Sequence, residues 1–371
     1  MTSMTDRITG GVDTHLDVHV AAALNERGGL LGTHSFPATS SGYRRLLRWL
    51  QSFGVVELVG VEGTGSYGAG LTRHLLSHGV RVVEVDRPNR QNRRRRGKSD
   101  TVDAVAAARA AQSGDATGAA KTRDGNVEMM RVLRLVKLSA RRGRTVALNQ
   151  MRAIIATGPE ELRDRFRDVS AVTLVAEAAG LRPNGRNDVV GATKIALRHL
   201  ARRAQSFQAE IDDINTILEP LVAATAPELL ACEGVGTDVA SALLVAAGDN
   251  PQRLRSERTF AKLCGVAPMD ASSGKQQRHR LSRAGDRQAN SALWRIVMTR
   301  IVYDPRTKTY IERRMKEGLT KREAMRCLKR YIAREIYTNL PRQSLVDSPE
   351  EHHYGIGRLH WTGPSGVLGP V

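Results

Sequence analysis

The order of apolar segments in the first third of the chain constrains the fold more than any other feature. Ile8–Asp13 is a short apolar run, and Val18, Val20, Ala22 and Leu24 alternate with the two-residue period of a half-buried strand. Asn25-Glu26-Arg27-Gly28-Gly29 reads as a turn, and Leu30–Phe36 as a third strand. Tyr43–Phe53 places Leu46, Leu47 and Leu50 on one helical face. Val55–Val61 is an apolar strand interrupted by Glu57 and Gly60, Gly68–His78 is helical and Val80–Val85 is a further strand. After a basic loop comes Asp100–Gln112, an alanine-rich helix. The order β-β-β-α-β-α-β-α predicts a mixed sheet with helices on its faces, because three hairpin-linked strands precede two αβ units.

The rest of the chain reads as helical, so the expected class is α/β plus all-α. At 371 residues it is long enough for two or three domains. Val127–Ala156 has no internal proline and one glycine, and Gly158-Pro159 stops it. Leu197, Leu200, Ala204, Phe207, Ile211, Ile214, Leu218 and Leu221 follow a 3-4-3-4-3-4-3 spacing, just over three heptads, with Pro220 expected to mark the end. This seam either packs inside one subunit or forms an intersubunit or antiparallel hairpin coil. The coil is preferred, because a long apolar seam needs a partner. Gly234-Val235-Gly236 sits between two helical stretches. Such a glycine hairpin can bring the backbone to a DNA phosphate, and a plain helix–turn–helix link accounts for it equally. Gly265–Gly285 reads as a polar loop, followed by helices at Gln288–Val302, Arg306–Glu317 and Lys321–Asn339. Beyond Pro341 there is no periodicity, which reads as a loose tail. The expected division is 1–120, 121–225 (coiled-coil linker and oligomerisation), 226–342 and the tail 343–371.

Fifty-seven Lys and Arg against 38 Asp and Glu leave a net charge of +19, which calls for a polyanionic partner. Nucleic acid comes first. A membrane span is excluded, since no stretch approaches the roughly 18 apolar residues that one requires. No apolar segment follows Met-Thr-Ser-Met-Thr-Asp-Arg, so no secretory signal is expected and the cytoplasm is the expected compartment. Cys232, Cys264 and Cys327 have no metal-ligand spacing and are expected to be buried, reduced thiols. Aromatic residues make up 4% of the chain, too few for a base-stacking platform.

Asp13 ends the first strand, Glu62 ends the central one, and Asp100 and Asp103 project from one face at the start of a helix. Taken singly, each has an ordinary reading as a strand-end residue or a complement to the helix dipole. Together they form a set of carboxylates that repel one another unless cations neutralise them. Hard oxygen donors select Mg²⁺, with Mn²⁺ the other candidate. Two such ions roughly 4 Å apart would clamp the attacking and leaving oxygens of a phosphodiester. Arg90, Arg93, Arg94, Arg95, Arg96 and Lys98 immediately precede Asp100, a placement that suits phosphate gripping by DNA or RNA. Ser272-Ser273-Gly274-Lys275 is followed by Arg278, His279, Arg280, Ser282, Arg283 and Arg287. A serine among such cations could attack a phosphodiester. On spacing alone, an ordinary phosphate-contacting loop serine is the simpler reading. His15 and His19 would pair on a helix, but the alternating pattern makes this region extended and separates them. His352-His353 in the tail reads as incidental.

These blocks, in this order, resemble the insertion-sequence one-ten family of transposases, which includes the Piv-type DNA invertases. Gly11-Val12-Asp13 matches the family's opening strand. Glu62-Gly63-Thr64-Gly65-Ser66-Tyr67 matches its Glu-Ala-Thr-Gly-x-Tyr motif, with Gly63 in place of Ala. Lys98-Ser99-Asp100-Thr101-Val102-Asp103-Ala104 matches its Lys-Ser/Thr-Asp-x-x-Asp-Ala motif. Cys232-Glu233-Gly234-Val235-Gly236, Gly265-Val266-Ala267-Pro268, Ser273-Gly274 and Ser282-Arg283-Ala284-Gly285 match the C-terminal blocks. The resemblance spans about residues 8–340.

It implies a RuvC-like, ribonuclease-H-type first domain whose four acids bind Mg²⁺, and a C-terminal serine that forms a covalent phosphoserine link with DNA. The corresponding position is Ser273, with Ser272 beside it. Phosphate contacts are expected from Arg93, Arg94, Arg95, Arg96, Lys98, Gly234, Gly236, Lys275, Arg278, Arg280 and Arg283. The resemblance further implies double-stranded donor and target DNA, a noncoding bridge RNA, and a dimer or tetramer that shares its sites between subunits. The alternative is a RuvC-type endonuclease that uses water as nucleophile. A non-catalytic scaffold is disfavoured by the intact acid set. No GxxxxGK[ST] loop is present, consistent with rejoining without ATP.

Overall fold

The computed structural model describes residues 6–85, 99–116, 118–183, 188–250, 254–270, 279–281 and 285–341. Its first part is a six-stranded mixed sheet in the order β3-β2-β1-β4-β5-β6. The strands are β1 (Arg7–Thr14), β2 (Val18–Leu24), β3 (Leu30–Pro37), β4 (Val55–Glu62), β5 (Arg81–Val85) and β6 (Gly118–Ala119). β1 runs antiparallel to β2 and parallel to β4. β4 and β5 are parallel, and β6 returns antiparallel. This arrangement is compatible with a ribonuclease-H-like domain. β6 is two residues long and carries no sequence signal.

The two faces of the sheet differ. One is covered by α1 (Ser40–Gln51) and α2 (Ala69–Ser77), where Val12, Val59 and Val61 pack against Leu46, Leu50, Leu71 and Leu75. The other is covered by α3 (Asp100–Gln112), whose Ala104, Ala107, Ala108 and Ala111 are buried. Gly11 and Gly60 oppose one another in register beneath α3. A methyl on Gly11 would come within 2.2 Å of the Ala108 nitrogen, and one on Gly60 within 2.5 Å of the Ala107 oxygen. Bare glycine on the strands and alanine on the helix therefore set a very close helix–sheet approach.

Two long helices, α4 (Asn126–Thr157) and α7 (Val189–Thr225), form an antiparallel hairpin coil within one chain. Lys137 on α4 hydrogen-bonds Asn215 on α7, and Asn126 meets Thr225 at 3.1 Å. The single glycine of α4 has a packing reason, since a methyl on Gly143 would lie 2.5 Å from the Phe207 ring. α5 (Glu160–Phe166) and α6 (Ala171–Ala179) cap the far end through Leu162, Phe166 and Leu174. Pro220 does not end α7, which continues to Thr225. Leu218 and Val222 on either side of it are fully buried, and that packing outweighs the lost backbone hydrogen bond.

The C-terminal part is helical: α8 (Pro227–Leu230), α9 (Thr237–Ala247), α10 (Glu257–Leu263), α11 (Arg287–Tyr303), α12 (Pro305–Lys316) and α13 (Lys321–Thr338). Val127 and Met130 of α4 and Ile214, Leu218 and Val222 of α7 enter its core. The stretch read as a plain loop contains a two-stranded hairpin, β7 (Pro268–Asp270) and β8 (His279–Leu281). All three cysteines are free thiols, but only Cys264 is buried; Cys232 and Cys327 are half-buried, which corrects the expectation. Among the described residues, no helix is long and apolar enough to cross a membrane.

Candidate active site

Side chains two apart on a strand share a face. Asp13 therefore points to the same side as Gly11, and Glu62 to the same side as Gly60, at the end of the sheet where α3 begins. The Thr14 hydroxyl donates to the Glu62 carbonyl at 2.7 Å and ties the two strand ends together. Gly63 follows at φ +73°, a left-handed turn that glycine adopts without strain. Asp100 and Asp103 stand in the first turn of α3 behind Ser99, one turn before the alanines seated on the glycine patch. The close packing that positions α3 thus also brings its two acids near Asp13, while Glu62 stands at the end of the neighbouring strand and is not part of the tight cluster of donor atoms.

Asp13, Glu62 and Asp103 are buried, at 6%, 8% and 7% exposure, while Asp100 is open to solvent. Burial pushes the Asp13 carboxyl above its ordinary value. The neighbouring Asp103 and Asp100 add to that rise, and His15 opposes it. A site that penalises its own negative charge in this way suits a bound cation. The donor set also fits a hard divalent ion, because carboxylate oxygens predominate. The Oδ and ring nitrogen atoms offered by Asp13, Asp100 and His15 lie within 4.8 Å of one another.

His15 was not among the expected site residues. Its Nε2 lies 3.1 Å from Asp13 Oδ2 and 3.5 Å from Asp100 Oδ1. The sequence signal was its position two residues beyond Asp13, and only the turn geometry converts that position into contact. His19 is separated from it as expected. It is fully buried on the opposite face of the sheet and stacks on Tyr43 at 5.6 Å. Arg123 also went unanticipated. It holds φ +56° and sets its guanidinium 3.1 Å from where a methyl on Gly65 would lie, beside the loop that follows Glu62.

Arg93, Arg94, Arg95, Arg96, Lys98, Ser272, Ser273, Lys275, Arg278 and Arg283 lie outside the described residues. Arg280 pairs with Met269 in the β7–β8 ladder. The stalks of this hairpin are pinched together. A methyl on Gly285 would come within 2.2 Å of the Gly265 nitrogen, and the Asp286 amide donates to the Leu263 carbonyl at 2.7 Å. Asn290 donates to the Cys264 and Gly265 carbonyls at 2.9 and 3.2 Å, and the buried Lys329 ammonium donates to Asn290 at 2.8 Å. Gly234 takes φ +77° in the turn before α9, and Gly236 precedes the first residue of that helix. In the helix's first turn, Asp238 accepts from Lys137 and Arg141, both at 2.6 Å. Burial raises the Asp238 carboxyl, but these two cations outweigh it and hold the group below its ordinary value.

A DEDD transposase model of the IS110 family matches residues 10–157, the stretch that holds all four acids. A second model, described as the transposase IS116/IS110/IS902 family, matches residues 226–312, which holds the pinched hairpin. Together they span well over half of the chain. The chain belongs to the IS110 family of transposases. A relative in Streptomyces coelicolor, an uncharacterized 43.6 kDa protein of insertion element IS110, is 32% identical over 137 residues. That alignment takes in 36% of this chain and 31% of the relative's length.

Proposed function

We propose that this IS110-family transposase cuts and rejoins the DNA of an insertion sequence through a serine nucleophile assisted by Mg²⁺. The observation that supports the reading is the placing of Asp13 and Glu62 at adjacent strand ends, with Asp100 and Asp103 of α3 close to Asp13, in a chain that also has the second transposase domain. The four acids would hold the metal, which when bound supplies positive charge to the scissile phosphate. Asp13, Glu62 and Asp103 are fixed by burial and so orient that end of the site. Ser273, or Ser272 beside it, attacks phosphorus. A phosphoserine ester forms as the DNA ester bond breaks, and the leaving strand end takes a proton as a free hydroxyl. Reversal of the same exchange onto a new strand rejoins DNA without ATP, because the ester bond is conserved. The Cys264–Gly265 neck, held by Asn290, gives the serine segment a fixed base.

Donor and target DNA are double-stranded in this reading, and a noncoding bridge RNA guides their choice. The +19 charge supplies the sequence-independent part of both affinities. A dimer or tetramer brings the acids of one subunit to the serine of another. An enzyme that acts on chromosomal and element DNA would act in the bacterial cytoplasm, at the nucleoid. The DEDD domain alone would also serve a RuvC-type endonuclease that uses water. Cleavage of element-junction DNA by purified protein with the RNA and Mg²⁺ tests the reading. Asp13→Asn or Glu62→Gln abolishes cleavage while leaving DNA binding within about twofold. Undiminished cleavage by both variants would remove the acids from the chemistry.

A further inference from the structure

His15 lies in the turn between β1 and β2, and its backbone amide donates to the Val18 carbonyl at 3.2 Å, which closes the turn. The ring is directed back over the strand end, so that one atom, Nε2, faces both Asp13 at 3.1 Å and Asp100 at 3.5 Å. An Nε2–H can serve one carboxylate as a hydrogen-bond donor. At 3.5 Å the second carboxylate lies beyond good hydrogen-bond length. A lone pair on Nε2 would instead face two carboxylates, an arrangement that is repulsive unless a cation sits among them. Bonds of about 2.1 Å to one divalent ion place adjacent donors about 3 Å apart and opposite donors about 4.2 Å apart. The separations of His15 from Asp13 and from Asp100 lie inside that range. Among the described residues, this is the one cluster of three metal-binding side chains whose donor atoms converge so closely, and its nitrogen comes from His15.

Resting on the metal-dependent reading of the four acids, we propose that His15 is a nitrogen ligand of the ion held by Asp13 and Asp100. The site then favours Mn²⁺ or Co²⁺ over Mg²⁺. An imidazole donor strengthens binding along the series from Mg²⁺ to Mn²⁺ to Co²⁺, whereas an all-carboxylate site discriminates less. His15 also orients Asp13 in the absence of an ion, and the two roles separate experimentally. His15→Gln keeps an N–H able to reach Asp13 but offers no imidazole nitrogen.

The test is pulsed electron paramagnetic resonance of full-length protein loaded with Mn²⁺ alone, with natural-abundance and ¹⁵N-labelled histidine. Calorimetric titrations with Mg²⁺ and Co²⁺ accompany it. The expected result is hyperfine coupling to one directly bound histidine nitrogen, absent in His15→Gln. Co²⁺ affinity falls at least ~10-fold in that variant while Mg²⁺ affinity changes less. Mn²⁺ that binds, is lost in Asp13→Asn and shows no nitrogen coupling would overturn the His15 assignment and leave the four-acid site standing. No Mn²⁺ binding by the wild type at millimolar concentration would overturn both.

Discussion

Gly11 and Gly60 carry no functional group, yet they decide where the functional groups stand. A side chain on either would force α3 away from the sheet and move Asp100 and Asp103 from Asp13. Gly11→Ala is expected to cost about 1–3 kcal/mol through overpacking, and to weaken metal binding as well. Urea unfolding and a metal titration on the same variant check both parts; full metal affinity with lowered stability would show that α3 can shift without disturbing the acids. Asp100 is the exposed member of the set, so its side chain adds little to the core. Asp100→Asn should therefore reduce metal-dependent cleavage far more than nucleic-acid binding or stability. Parallel losses of cleavage and binding, read by a cleavage assay beside a binding titration, would make Asp100 structural instead. That the four acids sit at strand ends and at a helix start was legible in the sequence. The contact of His15 with Asp13 and Asp100 was not, because a turn residue's direction depends on backbone angles that no residue pattern encodes.

At the level of elements, the strands of the first sheet were readable because one face of each is apolar. β6 was not, because two residues, Gly118 and Ala119, have no period to detect. Pro220 misled for a physical reason: local propensity ends a helix there, but Leu218 and Val222 are held in the C-terminal core. The long seam on α7 was legible as a coil, and its partner turned out to be α4 of the same chain. Packing between α10 and α13 is pinned by Glu257, which accepts from Arg330 at 2.9 and 3.1 Å and from Arg334 at 2.8 Å. The Arg330 hydrogen bonds, chiefly, pull the Glu257 carboxyl from 4.5 to about 2. A lowered folded-state value means that this stabilisation is complete above pH 4.5 and lost as the pH falls from there toward 2. After allowance for solvent screening, about 1–2 kcal/mol is at stake. Wild type should lose roughly three fifths of that more than Glu257→Gln between pH 7 and pH 3 in urea unfolding, the rest being lost below pH 3. Equal losses would place the acid sensitivity elsewhere.

Across the whole molecule, the excess of positive charge is the property that would supply affinity for DNA and for the proposed RNA. The Arg93–Arg96 run precedes the two acids of α3 in the chain, so its charge lies next to the proposed chemistry in sequence. Replacing the four arginines with glutamine should lower nucleic-acid affinity and flatten its salt dependence by up to about four phosphate contacts. An unchanged slope of log affinity against log salt would return that run to solvent. The proposed reaction joins the two transposase domains, and its covalent intermediate is the species to look for. Purified protein, RNA transcribed from the element, Mg²⁺ and end-labelled junction DNA are combined and run under denaturing conditions. Attack by Ser273 gives label migrating with the protein for the wild type, lost in Ser273→Ala, kept in Ser272→Ala and absent in Glu62→Gln. Cleaved DNA with no protein-linked label in any variant would contradict it and assign the attack to water.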